Sequence, residues 1–420
     1  MAERFWQYGG GVWTDVPPLT AHQLVHDAMQ TLAPLRELQT DKNVKAVVSL
    51  MKTEAARGMT LEVFDRHDRF LLNVRNGMLD VQRGTLTEHR EDFYSTNQLP
   101  VEFRPGATCP LWLEWLAETQ PDADIQAQIQ EIFGYCLVPG NDYQKFFVFF
   151  GEGGSGKSTV LEVLKLLMGR HNTVPLPLLD LDEGFTRSMM VGRLLYDAGE
   201  LTANSFKHID LIKTISAGEE VLVEEKYKTP YSFRPQGKIV GTSNVFLKTP
   251  DGSMGLFRRL VQVPFMRPRP VESQRRNYHE TFIAELPGIF VWAIEGYKRL
   301  LGRGYFAQSA AGAELSAAMS LHVNSVKTFL ACCFEEREGG STTADLIFAD
   351  YREWCEFEAV NPYFKENIGL MREIYKHHPE WKKQQKFRRT DQGTIRTIAG
   401  VSERFGWRDK YGAELEQRPF

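Results

Sequence analysis

The chain has 420 residues, 42% of them hydrophobic and 25% charged, a globular composition with enough apolar material for two or three domains. Lys and Arg number 50 against 54 Asp and Glu, a net charge of −4, which excludes a globally basic nucleic-acid coat protein and leaves any contact with a polyanion to local patches. The five cysteines (Cys109, Cys136, Cys332, Cys333 and Cys355) form no C-x-x-C pair, and the chain shows neither a signal peptide nor a run of about 18 apolar residues, so reduced thiols, no membrane span and a cytoplasmic location in a bacterial or virus-infected cell are expected.

The first twenty residues are aromatic and Gly-rich and read as a strand-turn-strand piece. Residues 21–58 read as helical, with Leu24, Met29 and Leu32 recurring among polar residues. Residues 69–95 change to short strands around Asn-Gly and Arg-Gly turns. A helical stretch at about 111–137 leads to Pro139-Gly140, a candidate boundary. Residues 145–270 alternate strand and helix, as a parallel α/β core does. Residues 281–302 read as a helix with Phe282, Leu286, Phe290, Ile294 and Tyr297 on one face, most simply core packing, and a Gly/Ala-rich joint follows at 302–318. The last hundred residues carry short helices and a basic run.

The strongest chemical signal is G-E-G-G-S-G-K-S, Gly151 to Ser158, which fits G-x-x-x-x-G-K-[ST]. An apolar run, Phe146 to Phe150, precedes it as a buried strand, and an amphipathic helix follows from Thr159. Strand, loop and helix are what phosphate binding requires. Gly151, Gly153, Gly154, Ser155 and Gly156 let backbone N–H groups turn inward, and the helix N-terminus at Lys157, Ser158 and Thr159 adds partial positive charge. Lys157 is expected on the β and γ phosphates and the Ser158 hydroxyl on Mg²⁺, so ATP and Mg²⁺ are the expected cofactors.

About forty residues on, R-L-L-Y-D-A-G-E is an apolar strand ending in acids. Glu200 is assigned to orient the attacking water and Asp197 to the magnesium shell; Asp197 read blandly is a surface acid after a buried strand. K-I-V-G-T-S-N ends in Asn244, which is either turn chemistry or a hydrogen bond to the γ-phosphate or its water. G-L-F-R-R-L then offers Arg258 and Arg259, planar cations suited to a transferring phosphoryl group or, more blandly, to surface salt bridges. Val221-Leu222-Val223 and Tyr231-Ser232-Phe233 can pair around a K-Y-K-T-P tip, where Lys226 and Lys228 would hold phosphates and Tyr227 would stack on a base; a solvated charged turn is the alternative.

From Gly151 to Phe265 the blocks G-E-G-G-S-G-K-S, L-L-Y-D-A-G-E, L-I-K-T-I-S-A-G-E, E-E-K-Y-K-T-P-Y-S-F, G-T-S-N and F-R-R-L-V-Q-V-P-F resemble, in this order, superfamily 3 helicases of the phage, plasmid and poxvirus primase-helicase branch. L-L-N-V-R-N-G-M-L-D-V (71–81) resembles the region preceding the motor in that branch. The resemblance implies an α/β fold with a P-loop AAA+-type core at 139–305, an N-terminal helical/mixed α/β helper domain at 1–138 and a C-terminal winged-helix-like domain at 320–420. It also implies a ring, a homo-hexamer, moving 3′ to 5′ on single-stranded or forked DNA, with a primase region fused upstream or supplied in trans. Arg259 matches the arginine finger with Arg258 beside it, Asn244 matches sensor 1, Lys226-Tyr227-Lys228 falls on a channel hairpin, and Lys213 falls near the nucleotide.

Residues 376–389 hold six Lys or Arg and one acid, with Trp381 and Phe387 interleaved, a pattern suited to phosphate contact with stacking and equally to a solvated helix end. Leu178 to Asp182 mimics a paired-aspartate nucleotidyl-transfer motif but lies inside the motor, so it is read as a connection. His377-His378 has no Cys or further His at ligand spacing, and no metal is expected there. The expected function is an ATP-dependent replicative DNA helicase of a phage, plasmid or other mobile element. The alternative is an origin-recognition or assembly module that binds ATP without processive unwinding, and a small-molecule kinase fits poorly.

Overall fold

The computed structural model describes residues 5–55, 70–226, 229–245, 247, 254–269, 277–323, 325–357, 364–390 and 393–408. The chain divides into two compact units, one of residues 1–247 and 253–316, the other of 317–420 with 248–252.

The first unit opens with an antiparallel hairpin, β1 (Phe5–Gly9) and β2 (Val12–Val16), turning over Gly10-Gly11 at φ 59° and 85°. Helices α1 (Pro18–Thr31) and α2 (Asp41–Ala55) bury Val25, Met29, Val44 and Val48 between them. A meander of β3 (Leu71–Val74), β4 (Gly77–Asp80) and β5 (Thr85–Thr87) follows, as its turn residues predict. The helical stretch read at 111–137 is two helices, α3 (Pro110–Thr119) and α4 (Ala123–Leu137). Pro121 causes the break: it forbids a helical Gln120, which takes φ −132° and ψ 84°, and Asp122 then caps α4 by accepting the Asp124 N–H at 2.8 Å.

The core sheet comprises β6 (Phe146–Gly151), β7 (Thr173–Pro175), β8 (Leu195–Leu201), β11 (Lys238–Ser243) and β12 (Leu260–Phe265), in spatial order β12-β6-β11-β8-β7 with every neighbour pair parallel. All six residues of β6 are buried, as a strand covered on both faces demands. Connecting it are α5 (Lys157–Met168), α6 (Gly184–Ser188), α7 (Ile209–Ser216), α8 (Met254–Phe257) and a small hairpin, β9 (Val221–Val223) with β10 (Tyr231–Phe233). That hairpin pairs as read from its sequence, Val223 opposite Tyr231 and Val221 opposite Phe233.

Helix α9 (Leu286–Arg303) crosses α4 with backbone nearly touching backbone. A Cβ on Gly134 would lie 2.2 Å from the Ala293 carbonyl oxygen, and one on Gly296 would lie 2.5 Å from that of Gln130. Beside this crossing the buried Glu131 accepts from Arg299 at 2.7 Å and Arg303 at 2.5 Å. One core cluster takes in Ile129 and Phe133 of α4, Phe147 and Phe149 of β6, Val160 and Leu164 of α5, and Phe290 and Ile294 of α9. The boundary read between residues 138 and 139 therefore runs through a single shared core. The joint read at 302–318 also holds a helix, α10 (Ala310–Val323), because its alanines are strong helix formers.

The second unit runs α11 (Ser325–Cys333), β13 (Phe334–Thr343), α12 (Ala344–Phe357), α13 (Asn367–His377), α14 (Pro379–Lys383), β14 (Gln385–Thr390) and β15 (Gly393–Glu403). Its antiparallel sheet has the order β13-β15-β14, and its core holds Phe329, Tyr351, Trp354, Ile374, Trp381 and Val401. Trp381, read as a stacking residue of the basic run, is 3% exposed and belongs to that core, whereas Phe387 is 63% exposed. His378 also has company its neighbours in sequence do not reveal. Ligand atoms of His378, Glu380 and Glu336, the last from β13, lie within 4.8 Å of one another. All five cysteines are free thiols. Among the described residues, no helix is long and apolar enough to cross a membrane.

Candidate active site

The parallel sheet directs the C-terminal ends of β6, β11 and β8 to one edge, where open α/β sheets bind ligands. Gly151 ends β6 at φ 154°, and a Cβ there would lie 1.9 Å from the Phe265 carbonyl oxygen, so only glycine lets β12 run this close. Gly154 (φ 75°) and Gly156 (φ 96°) complete the turn into α5; a Cβ on Gly156 would meet Thr119 Cγ2 at 2.7 Å, while Gly153 has open space. Ser155 is buried and donates to the Glu152 carbonyl at 2.7 Å, Ser158 is exposed at the first turn of α5, and Thr159 is half-buried.

The Lys157 ammonium folds over the loop, donating to the carbonyls of Gly151 and Glu152 at 2.5 Å each and lying 3.4 Å from the Ser155 hydroxyl. Burial lowers its pKa from the ordinary lysine value, and the negative charges of Glu200 and Glu152 oppose that shift. Glu200 is thus an electrostatic neighbour of Lys157.

The acids of β8 separate by one irregularity. Positions three apart on a regular strand face opposite ways. Here the pairing shifts between Val240 and Gly241, so that Asp197 and Gly199 oppose consecutive residues of β11 and Ala198 is extra, with Gly199 at φ 63°. The bulge returns both acids toward α5. Glu200 interacts there with Lys157, and Asp197 with Lys165 at 2.9 Å. Lys165 lies two helical turns from Lys157, about 12 Å along the axis. Asp197 also accepts the Gly199 N–H at 2.9 Å. The structure therefore brings Glu200 to the loop and not Asp197, whose carboxylate is committed to a lysine and a backbone amide. Ser158 and Glu200 are both exposed, whereas Asp197 is engaged by Lys165.

Asn244 is exposed one residue beyond β11. Ser243 lies opposite Phe150 of β6 and Leu201 of β8, so Asn244 follows at the level of Gly151. Arg258 and Arg259 are at the other end of the sheet. They precede β12, whose Leu260 pairs with Phe146 and whose Phe265 pairs with Gly151, a span of about 20 Å. Arg258 is exposed; Arg259 is half-buried, donating to the Gly255 carbonyl at 3.3 Å and to Gln144 Oε1 at 3.4 Å, with its Nε buried and unbonded among the described residues. Lys213 on α7 lies 3.5 Å from Asp210. Lys226 is exposed near the hairpin tip, and Tyr227 and Lys228 lie outside the described residues.

Sequence reasoning stopped at Phe265 and missed a wall beside the loop. The Arg269 N–H donates to the Gly154 carbonyl at 3.1 Å, and its guanidinium pairs with Glu118 at 3.2 Å over the rings of Trp115 and Tyr278, at 5.8 and 5.6 Å. The run M-R-P-R-P directly after β12 is the sequence feature that carries it.

The family described as "D5 N terminal like" matches residues 2–121, and a family of unknown function (DUF5906) matches residues 149–259, across the glycine loop, β8 and β11. A protein of Acanthamoeba polyphaga mimivirus named "Putative helicase L207/L206" is 24% identical over 253 residues, 57% of this chain and 26% of that protein, so the chain spans about a quarter of its relative's length. Among solved structures, the apo A form of the NrS-1 C-terminal region overlays 71% of this chain and 77% of its own at a TM-score of 0.44 and 14% identity. A second apo form of that region overlays the same shares at 0.37 and 15%. Its family matches and its mimivirus relative support a phage or viral protein of the superfamily 3 helicase–primase type, at low sequence identity.

Proposed function

We propose that the chain is an ATP-dependent DNA helicase motor with an AAA+-type core. The observation that carries this is the grouping of Lys157, Glu200 and Asn244 at one edge of the sheet, around a glycine turn that tolerates no side chain at Gly151 or Gly156. In this reading the loop N–H groups and Lys157 hold the β and γ phosphates. Ser158 and Glu200 hold the magnesium shell, and the metal supplies neutralisation of the charge developing on the phosphoryl oxygens. Glu200 orients the attacking water and Asn244 positions it.

Arg258 and Arg259, about 20 Å from Gly151 within the same chain, cannot touch their own phosphates. Their placement supports donation to a neighbouring copy, hence a ring, proposed as a homo-hexamer moving 3′ to 5′ on single-stranded or forked DNA. The β9–β10 hairpin is proposed to reach that strand through Lys226, Tyr227 and Lys228. The second unit, with helix–strand–helix–helix–helix–strand–strand order and the β13-β15-β14 sheet, supports a winged-helix-like DNA-binding role. A primase acting in the same chain or in trans, in the cytoplasm of the infected or plasmid-bearing cell, completes the proposal.

Phosphate release with and without single-stranded DNA, together with displacement from a forked duplex, tests it. Lys157→Ala should abolish DNA-stimulated hydrolysis. Arg259→Ala should lower turnover by about 10³-fold or more with ATP still bound, and adding Lys157→Ala protein, whose Arg259 is intact, should restore some of it. Parental turnover in Arg259→Ala would remove the shared site. ATP binding without hydrolysis or strand displacement would instead favour the origin-recognition or assembly module.

A further inference from the structure

The break between α3 and α4 does more than interrupt a helix. Gln120, forced out of helical geometry by Pro121, lines a cavity of about 440 Å³ together with Ile125, Pro264, Met266 and Arg267. That volume falls in the range of small-ligand sites. The cavity adjoins the glycine loop on two sides. Thr119, next to Gln120, is the residue a Gly156 side chain would strike, and Phe265, between Pro264 and Met266, is the one a Gly151 side chain would strike.

Gln120 is 4% exposed. Its backbone is spoken for, the N–H by the Leu116 carbonyl at 2.7 Å and the carbonyl by Gln126 Nε2 at 2.7 Å. Among the described residues, no group of the protein bonds its carboxamide. The carboxamide is reachable from the cavity, so a ligand there with a matching donor and acceptor can bond it in place of water.

We propose that this cavity is the base subsite for the nucleotide whose phosphates the loop holds, and that Gln120 reads the edge of an adenine. This rests on the loop reading above. A carboxamide offers an acceptor to the adenine amino group and a donor to the adjacent ring nitrogen, the pairing by which Gln recognises adenine elsewhere. Guanine presents two acceptors on the same edge, and one of them faces the amide oxygen. Ile125, Pro264 and Met266 supply apolar contact for the base. Asp122, exposed at the rim, keeps a carboxylate oxygen beyond its bond to the Asp124 N–H for the ribose hydroxyls.

The test is titration calorimetry with ATP, GTP and inorganic tripolyphosphate. The parent should bind tripolyphosphate and prefer ATP over GTP by at least tenfold. Gln120→Leu should lose tenfold or more in ATP affinity, bring ATP and GTP within about threefold, and bind tripolyphosphate as before. Met266→Trp, which crowds the mouth without touching the amide, should weaken ATP and leave tripolyphosphate unchanged. Equal binding of ATP and GTP by the parent, or an ATP-to-GTP ratio that Gln120→Leu leaves intact, overturns the base subsite while the loop stands. Failure of the parent to bind tripolyphosphate overturns the loop reading and this inference with it.

Discussion

Lys238 opens β11, the strand that leads to Asn244, and its ammonium group is buried. It donates to the carbonyls of Val138 and Gln236 and sits 4.5 Å over the ring of Tyr135. Burial lowers its pKa from the ordinary 10.5 to about 7, a shift that the neighbouring Cys136 opposes. The unfolded chain therefore binds one more proton than the folded chain between these two values, so stability should rise with pH across that window. From pH 7 to pH 9 the relief is about 2 kcal/mol. Lys238→Met removes the titration and keeps most of the volume. In urea denaturation of both proteins at pH 7, 8 and 9, the parent should gain on the variant by that amount. Other titrating groups cancel in the difference, and the two nearest cannot supply it, since burial raises Tyr135 and pushes Cys136 up to about 12. A difference constant to within about 0.5 kcal/mol would mean that the amine stays charged in the fold, and the reasoning from burial would fail.

Two further predictions concern packing and surface. Gly134→Ala forces a methyl into the Ala293 carbonyl, so it should destabilise the first unit by about 1–3 kcal/mol in thermal or urea unfolding, or more if α9 cannot shift. In the second unit, Trp381→Ala should cost about 3–5 kcal/mol of stability. Phe387→Ala, removing an exposed ring beneath the Arg396 guanidinium at 5.6 Å, should leave stability intact and weaken single-stranded DNA binding by about 1–3 kcal/mol in fluorescence anisotropy.

Much of the site was legible because its chemistry is local. The loop, its strand and its helix are contiguous, and the β9–β10 hairpin follows from two short apolar runs about a turn. What could not be read depended on distant partners. Nothing near Asp197 in sequence announces Lys165, and the bulge that turns both acids of β8 toward α5 shows only as Gly199. Helical periodicity ran through Gln120 and Pro121 and hid the break between α3 and α4. Trp381 lies among lysines in sequence but on the inward face of α14, and Glu336 reaches His378 only through the fold of the second unit. Three-dimensional neighbours, rather than residue types, decided each of these cases.

Because α9 closes over α4 at paired glycines, the five-stranded parallel sheet has no independent cover once the upstream helices are cut away. A fragment beginning at residue 139 would bare Phe290 and Ile294 and strip Arg299 and Arg303 of the carboxylate they share. Any minimal fragment carrying this sheet therefore has to start before Pro110, and a graft of the sheet into another scaffold has to carry α3, α4 and α9 as a single cassette.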